Sequence, residues 1–216
     1  MATKKKKQET LEKELTEKTS LEIGPEIKEL KLKVSKEKDI KKEKVKAFKT
    51  TLSGEHIIAK DKKALDLQGM SRFGEVKDKK VYYSFIEALY LLERKKITVY
   101  SKGKKLSFDK LLELASGAEP NFFTRYCVFK DMRNRGYIVK TALKFGADFR
   151  VYDRGIKPGE DHARWVLFPV YETSSLTWHE FAAKNRVAHS TKKNILIAIV
   201  DEEGDVTYYE IKWTRP

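Results

Sequence analysis

Tyr152 and His162 lie ten residues apart in the stretch GYIVKTALKFGADFRVYDRGIKPGEDHARWVLFPV, residues 136–170. Either side chain can carry a proton. Three apolar-rich runs in the stretch have strand character, 137–141, 147–152 and 164–170, with Gly146, Gly155 and Pro158-Gly159 punctuating them. The second strand is expected to end on Tyr152 and the third to begin just after His162. A phenol and an imidazole so placed can face one cavity and exchange protons with a substrate. On spacing alone a plainer reading stays open. A strand-end tyrosine often caps a core with its ring, and a histidine in a polar loop is often only solvated.

With a fixed cation beside them, two such groups can catalyse phosphodiester transesterification without a metal. A base takes the proton from a ribose 2′-hydroxyl and an acid protonates the leaving 5′-oxygen. The cation stabilises charge growing on the phosphorane. A lysine just before the apolar run 195–200 would supply it if the three strand ends converge. Tyrosine is an awkward base, since a free phenol ionises at about pH 10. A neighbouring cation has to favour the phenolate, and Lys193 is the candidate.

A chain of 216 residues fits one large or two small domains. Its formal net charge of +14 favours an anionic partner, nucleic acid first and an acidic membrane surface second. No apolar run is long enough to span a bilayer, and the basic start MATKKKKQE lacks the apolar stretch of a secretory signal. The single cysteine, Cys127, excludes an intrachain disulfide and fits a reducing, intracellular setting. No Cys or His pair has zinc-site spacing, and no cofactor is expected. Abundant Lys and Glu also suit a thermophile.

Three segments are expected. Residues 1–45 read as a basic, Lys/Glu-rich tail broken at Gly24-Pro25, flexible or partly helical. Residues 46–118 read as a small α+β domain. It has strands at 51–59 (turn at Ser53-Gly54), 65–67, 81–83 and 97–100. A helix follows the capping box Ser84-Phe85-Ile86-Glu87, and a second, 108–116, is capped by Ser107 and closed by Gly117. Residues 119–216 begin with a helix from about 120, where Pro120 suits an early position. Its stripe of Phe122, Phe123, Tyr126, Phe129 and Met132 reads as core. After the three strands, Thr177-Trp178-His179-Glu180 forms a second capping box. The run 195–200 reads as a buried central strand, 201–205 as an acidic turn, and 206–213 as the last strand.

Taken together, YCVFKDMRNRGYIVKTALKFGADFRVY (126–152), His162, and RVAHSTKKNILIAIVDEEGDVTYYEI (186–211) resemble the catalytic subunit of archaeal tRNA-splicing endonuclease. SFIEALYLLERKKI (84–97) is similar to that family's N-terminal domain. The resemblance implies an α+β N-terminal domain followed by an α/β C-terminal domain with a restriction-endonuclease-like central mixed sheet. It implies a catalytic Tyr152, His162 and Lys193, with Lys192 the rival for the lysine and an RNA-binding residue otherwise. A bulge base would be held between Arg186 and Tyr208. The acidic loop Asp201, Glu202, Glu203 and Asp205 would dock onto another subunit, in a homotetramer or an α2β2 heterotetramer. The implied substrate is precursor tRNA with a bulge–helix–bulge, cut without metal to leave a 2′,3′-cyclic phosphate and a 5′-hydroxyl. The tail matches nothing in the family.

Two other readings compete. A non-catalytic RNA-binding subunit would lack the three catalytic residues, and all three positions are filled. A DNA nuclease on a restriction-like sheet needs an Asp…Glu-x-Lys set. Asp148 is the only acid near the right place, and no Glu-x-Lys follows on the next strand.

Overall fold

A computed structural model describes residues 47–142, 146–212 and 214. The tail read at 1–45 and Trp213 lie outside these. Lys46–Pro216 form one compact unit built on two sheets.

The first sheet holds β1 (Phe48–Ser53), β2 (His56–Ala59), β3 (Glu75–Lys77), β4 (Lys80–Tyr83), β5 (Ile97–Ser101) and β6 (Lys104–Lys105), in the order β3-β4-β2-β1-β5-β6. Its β1–β5 pair is parallel and its other pairs antiparallel. The strand expected at 65–67 is instead part of helix α1 (Lys62–Ser71). Leu-Asp-Leu alternates like a strand, but Asp61 caps Lys63 and good helix formers follow. The less exposed positions Ala64, Leu65, Leu67, Gln68 and Ser71 keep a helical period.

Helix α2 (Phe85–Glu93) starts with the reciprocal Ser84–Glu87 capping box and buries Phe85 through Leu91. Glu87 also ties the two sheets together. Its Oε1 accepts from the Gly74 amide at 3.0 Å and from Lys140 Nζ at 3.1 Å. Lys140 donates to the Gly74 carbonyl at 3.0 Å as well. Position 74 tolerates only glycine: φ is +72°, and a Cβ would lie 2.6 Å from Val81 Cγ1 and 2.9 Å from the Tyr82 carbonyl oxygen.

Helix α3 (Phe108–Ala118) is capped by Ser107 as expected, but it runs through Gly117. Helix α4 (Phe122–Asn134) begins after Pro120, with Asn121 as its N-cap. The left-handed Asn121, at φ 52° and ψ 29°, sets the start of α4, and Pro120 sets the end of α3. The proline disfavours the helical region for Glu119, which is extended at φ −127°, ψ 128°. Phe122, Tyr126, Val128, Phe129 and Met132 of α4 are buried, while Phe123 is half-buried.

The second sheet is mixed, ordered β11-β10-β9-β8-β7. It comprises β7 (Ile138–Thr141), β8 (Phe149–Tyr152), β9 (Trp165–Tyr171), β10 (Asn194–Val200) and β11 (Val206–Ile211). Only β9 and β10 run parallel. A parallel pair needs a crossover, and α5 (Trp178–Ser190), opened by the Thr177–Glu180 capping box, lies in it. The 195–200 run is interior, but β9 holds the middle of the sheet. Ala188 of α5 packs on Val166, Phe168 and Ile195 on one face. By strand alternation Leu167, Leu196 and Ala198 point to the other face, where α4 lies against β9, β10 and β11. No described helix is long and apolar enough to cross a membrane.

Candidate active site

Register brings three chain segments to one end of the second sheet. Tyr152, the last residue of β8, pairs with Ile138; Val151 pairs with Trp165, which in turn lies opposite Asn194. The end of β8 and the starts of β9 and β10 therefore coincide. Residues 153–164 return through turns, with Gly155 at φ +85° and Gly159 at φ +97°. Glu160 Oε2 accepts from the Lys157 amide at 3.2 Å, and Asp161 Oδ1 accepts from the His162 amide at 2.6 Å. This folded loop carries His162 back over the sheet end.

Tyr152, His162 and Lys193 line one cavity of about 390 Å³, together with Arg150, Glu160 and Asp161. Tyr152 is buried to 4 % exposure and His162 is exposed. The sequence-predicted trio is thus brought together. Arg150 was not among the expected residues. Side chains at i and i+2 of a strand share a face, so Phe-Arg-Val-Tyr already carried that signal. The Arg150 guanidinium lies 5.9 Å from the centre of the Tyr152 ring.

The end of α5 separates the two candidate lysines. The Lys192 amide donates to His189 O at 3.0 Å and the Lys193 amide to Ala188 O at 2.9 Å, the paired bonds of a Schellman C-terminus. Lys192 takes the left-handed position, φ +54°, and is exposed. Lys193 turns into the cavity, where Nζ donates to the Thr191 carbonyl at 2.7 Å. Burial, and then the positive charge of Arg150, hold the Lys193 ammonium below the ordinary lysine range.

Arg186 and Tyr208 are not brought together within one chain. Arg186 is exposed on α5. Tyr208 pairs with Ala198 and shares its face of the sheet, the one covered by α4. Its hydroxyl donates to Asp131 Oδ2 at 2.8 Å, and the Arg135 guanidinium lies 5.6 Å from its ring centre. Burial, followed by the Asp131 bond, pushes the Tyr208 phenol well above its ordinary value.

The acidic turn joins β10 to β11 at the far end of β10 from Lys193. Seven strand residues span about 20 Å at 3.3 Å each. These acids therefore lie too far from the chain's own cavity to repel a phosphate bound there. Asp201 Oδ1 accepts from the Asp205 amide at 2.9 Å, and Glu172 Oε1 from the Glu202 amide at 3.0 Å. Gly204, at φ +81°, faces Cys127 and Phe123 of α4. Glu202, Glu203 and Asp205 are exposed. Among the described residues, no group of three or more His, Cys, Asp or Glu side chains could hold a metal ion.

The fold and the cavity define an α+β protein with two mixed sheets and, at one sheet end, a cavity lined by a phenol, an imidazole and an ammonium. Residues 122–208 match the family described as tRNA intron endonuclease, catalytic C-terminal domain, and residues 48–112 match its N-terminal domain. The tRNA-splicing endonuclease of Thermococcus onnurineus is 45 % identical over 165 residues, 76 % of this chain and 95 % of that protein. The Thermococcus kodakarensis protein of the same name is 42 % identical over 76 % of this chain and 96 % of its own. That of Methanothermobacter thermautotrophicus is 38 % identical over 69 % and 87 %. The chain belongs to the tRNA intron endonuclease family.

Proposed function

We propose that this protein is a catalytic tRNA-splicing endonuclease that excises introns from precursor tRNA at the bulge–helix–bulge. The observation that carries the reading is the single cavity shared by Tyr152, His162 and Lys193. Tyr152 is the base that takes the ribose 2′-hydroxyl proton. The 2′-oxygen attacks phosphorus, the bond to the 5′-oxygen breaks, and protonated His162 gives its proton to that oxygen. Lys193 stabilises the charge on the phosphorane. The products are a 2′,3′-cyclic phosphate and a 5′-hydroxyl, and the reaction needs no metal, which makes the enzyme a tRNA-intron lyase.

The same reading takes 46–118 and 119–216 as two domains, the second with a restriction-endonuclease-like sheet. Every strand of the first sheet precedes the boundary and every strand of the second follows it. Arg186 is the bulge-base contact, supported by its exposure on the helix that leads into Lys193. Tyr208 acts with it only between chains, given the faces the two occupy. Lys192 contacts RNA from outside the cavity. The exposed carboxylates of 201–205 dock on a basic surface of another subunit in a tetramer, supported by their contrast with a chain of net charge +14. The site of action is inside the cell.

The test is cleavage of an intron-containing precursor tRNA under single-turnover conditions. His162→Ala should slow it about 10²-fold or more, the scale of a lost general acid, while RNA binding persists. Wild-type cleavage by this variant would remove His162 from the mechanism.

A further inference from the structure

We propose that Arg150 is a further substrate-binding group of this cavity: its guanidinium grips the non-bridging oxygens of the scissile phosphate beside Lys193. The inference rests on the Tyr152–His162–Lys193 reading and adds a residue to it.

Arg150 pairs with Val166, whose side chain lies under α5, and so shares the face of Tyr152 at the cavity wall. Its Nε is buried and has no hydrogen-bond partner. Leaving a buried donor unsatisfied is costly, more so on a charged group. Nor does any carboxylate among the described residues come within ion-pair distance of it. The two acids of the cavity are occupied by their own loop. Glu160 takes the Lys157 amide and lies 3.8 Å from Lys157 Nζ, and Asp161 takes the His162 amide. The Tyr152 ring, 5.9 Å away, sits at the outer limit of a cation–π contact and accounts for little of the guanidinium's placement.

Two cations thus face one open cavity, close enough that the charge of Arg150 acts on Lys193. Like charges so placed repel unless an anion lies between them. A phosphodiester presents two non-bridging oxygens, which a planar guanidinium can bind in fork geometry and an ammonium cannot. Arg150 then positions the phosphate for attack and, with Lys193, meets the charge that grows on its oxygens.

The test compares wild type with Arg150→Met, Arg150→Lys and Lys193→Ala in single-turnover cleavage of precursor tRNA at saturating protein, with thermal unfolding and RNA binding measured alongside. Arg150→Met should cleave about 10²-fold more slowly or worse, the scale for losing a donor to a developing oxyanion, with RNA binding within threefold (about 0.6 kcal/mol). Arg150→Lys should recover only part of the rate. Inorganic sulfate should inhibit wild type beyond chloride of equal ionic strength, and Arg150→Met should lose that excess. A structural role would not move this second readout. If Arg150→Met does not fold, Arg150→Lys decides: a slowed rate upholds the proposal. Wild-type rates and unchanged sulfate inhibition in the Arg150 variants, with Lys193→Ala inactive, would overturn the proposal and leave the cavity reading standing. A fully active Lys193→Ala would overturn both.

Discussion

Lys192 and Lys193 are neighbours in sequence and part company at the end of α5. Lys192 occupies the left-handed position at φ +54° and stays exposed, while Lys193 enters the cavity with Tyr152 and His162. Lys193→Ala should lower single-turnover cleavage by about 10²–10³, the scale of a lost transition-state contact. Lys192→Ala should leave the rate at saturating RNA unchanged and weaken salt-sensitive binding. Lys192→Gly should raise thermal stability, because an L-residue in the left-handed region costs about 1 kcal/mol. The reverse pattern of rates would assign the cation to Lys192.

The pH dependence follows from the lowered ionisation of Lys193. The mechanism needs the ammonium. The rate should therefore fall on the alkaline side as pH rises through that lowered value, below the range of about 10.4 where a free lysine titrates. Lys193→Arg replaces it with a group that stays charged, so whatever rate survives should lack this limb. An unchanged alkaline limb in Lys193→Arg would exclude Lys193 as its source.

Glu87 of α2 and Lys140 of β7 form a largely buried pair, with side chains 10 % and 14 % exposed, closed by the Gly74 backbone. Removing one partner leaves the other charge buried and alone, which costs about 3–5 kcal/mol. Lys140→Ala should lower the thermal midpoint markedly. The double variant Glu87→Gln/Lys140→Met should recover part of the loss. A Lys140→Ala protein as stable as wild type would mean that the pair is solvated and structurally idle.

Much of this architecture is written locally. The Ser84 and Thr177 capping boxes and the Ser107 cap mark three helix starts, and turn residues bracket β8 and β9. What failed was where two local signals compete. Leu65-Asp66-Leu67 alternates like a strand inside a capped helix. Gly117 looks like a stop, yet Pro120 sets the end through Glu119. At the site, the clustering of Tyr152, His162 and Lys193 was legible because Tyr152 ends β8, Lys193 immediately precedes β10 and His162 lies in the loop that joins β8 to β9. Arg150 was missed because it lies mid-strand, where only alternation links it to Tyr152. The sequence places Arg186 on a helix and Tyr208 on a strand with another strand between them, but no local pattern tells which face of the sheet each takes. Pairing register decides it.

The acidic loop gives an assembly test. Asp201 holds its own turn through the Asp205 amide, so charge reversal is best confined to the exposed Glu202, Glu203 and Asp205. Changing these three to Lys should dissociate the assembly and lower cleavage with no cavity residue altered. Sedimentation velocity decides the matter: wild-type mass with full activity would return the loop to an ordinary solvated tip.

The central claim is metal-free transesterification in the Tyr152–His162–Lys193 cavity, and end-group analysis of the cleaved RNA in EDTA tests it most directly. Full-length protein is incubated with an intron-containing precursor tRNA in excess EDTA. The account predicts undiminished cleavage, a 2′,3′-cyclic phosphate on each upstream fragment and a 5′-hydroxyl on each downstream one. Loss of cleavage in EDTA, or fragments ending in 3′-hydroxyl and 5′-phosphate, would contradict it.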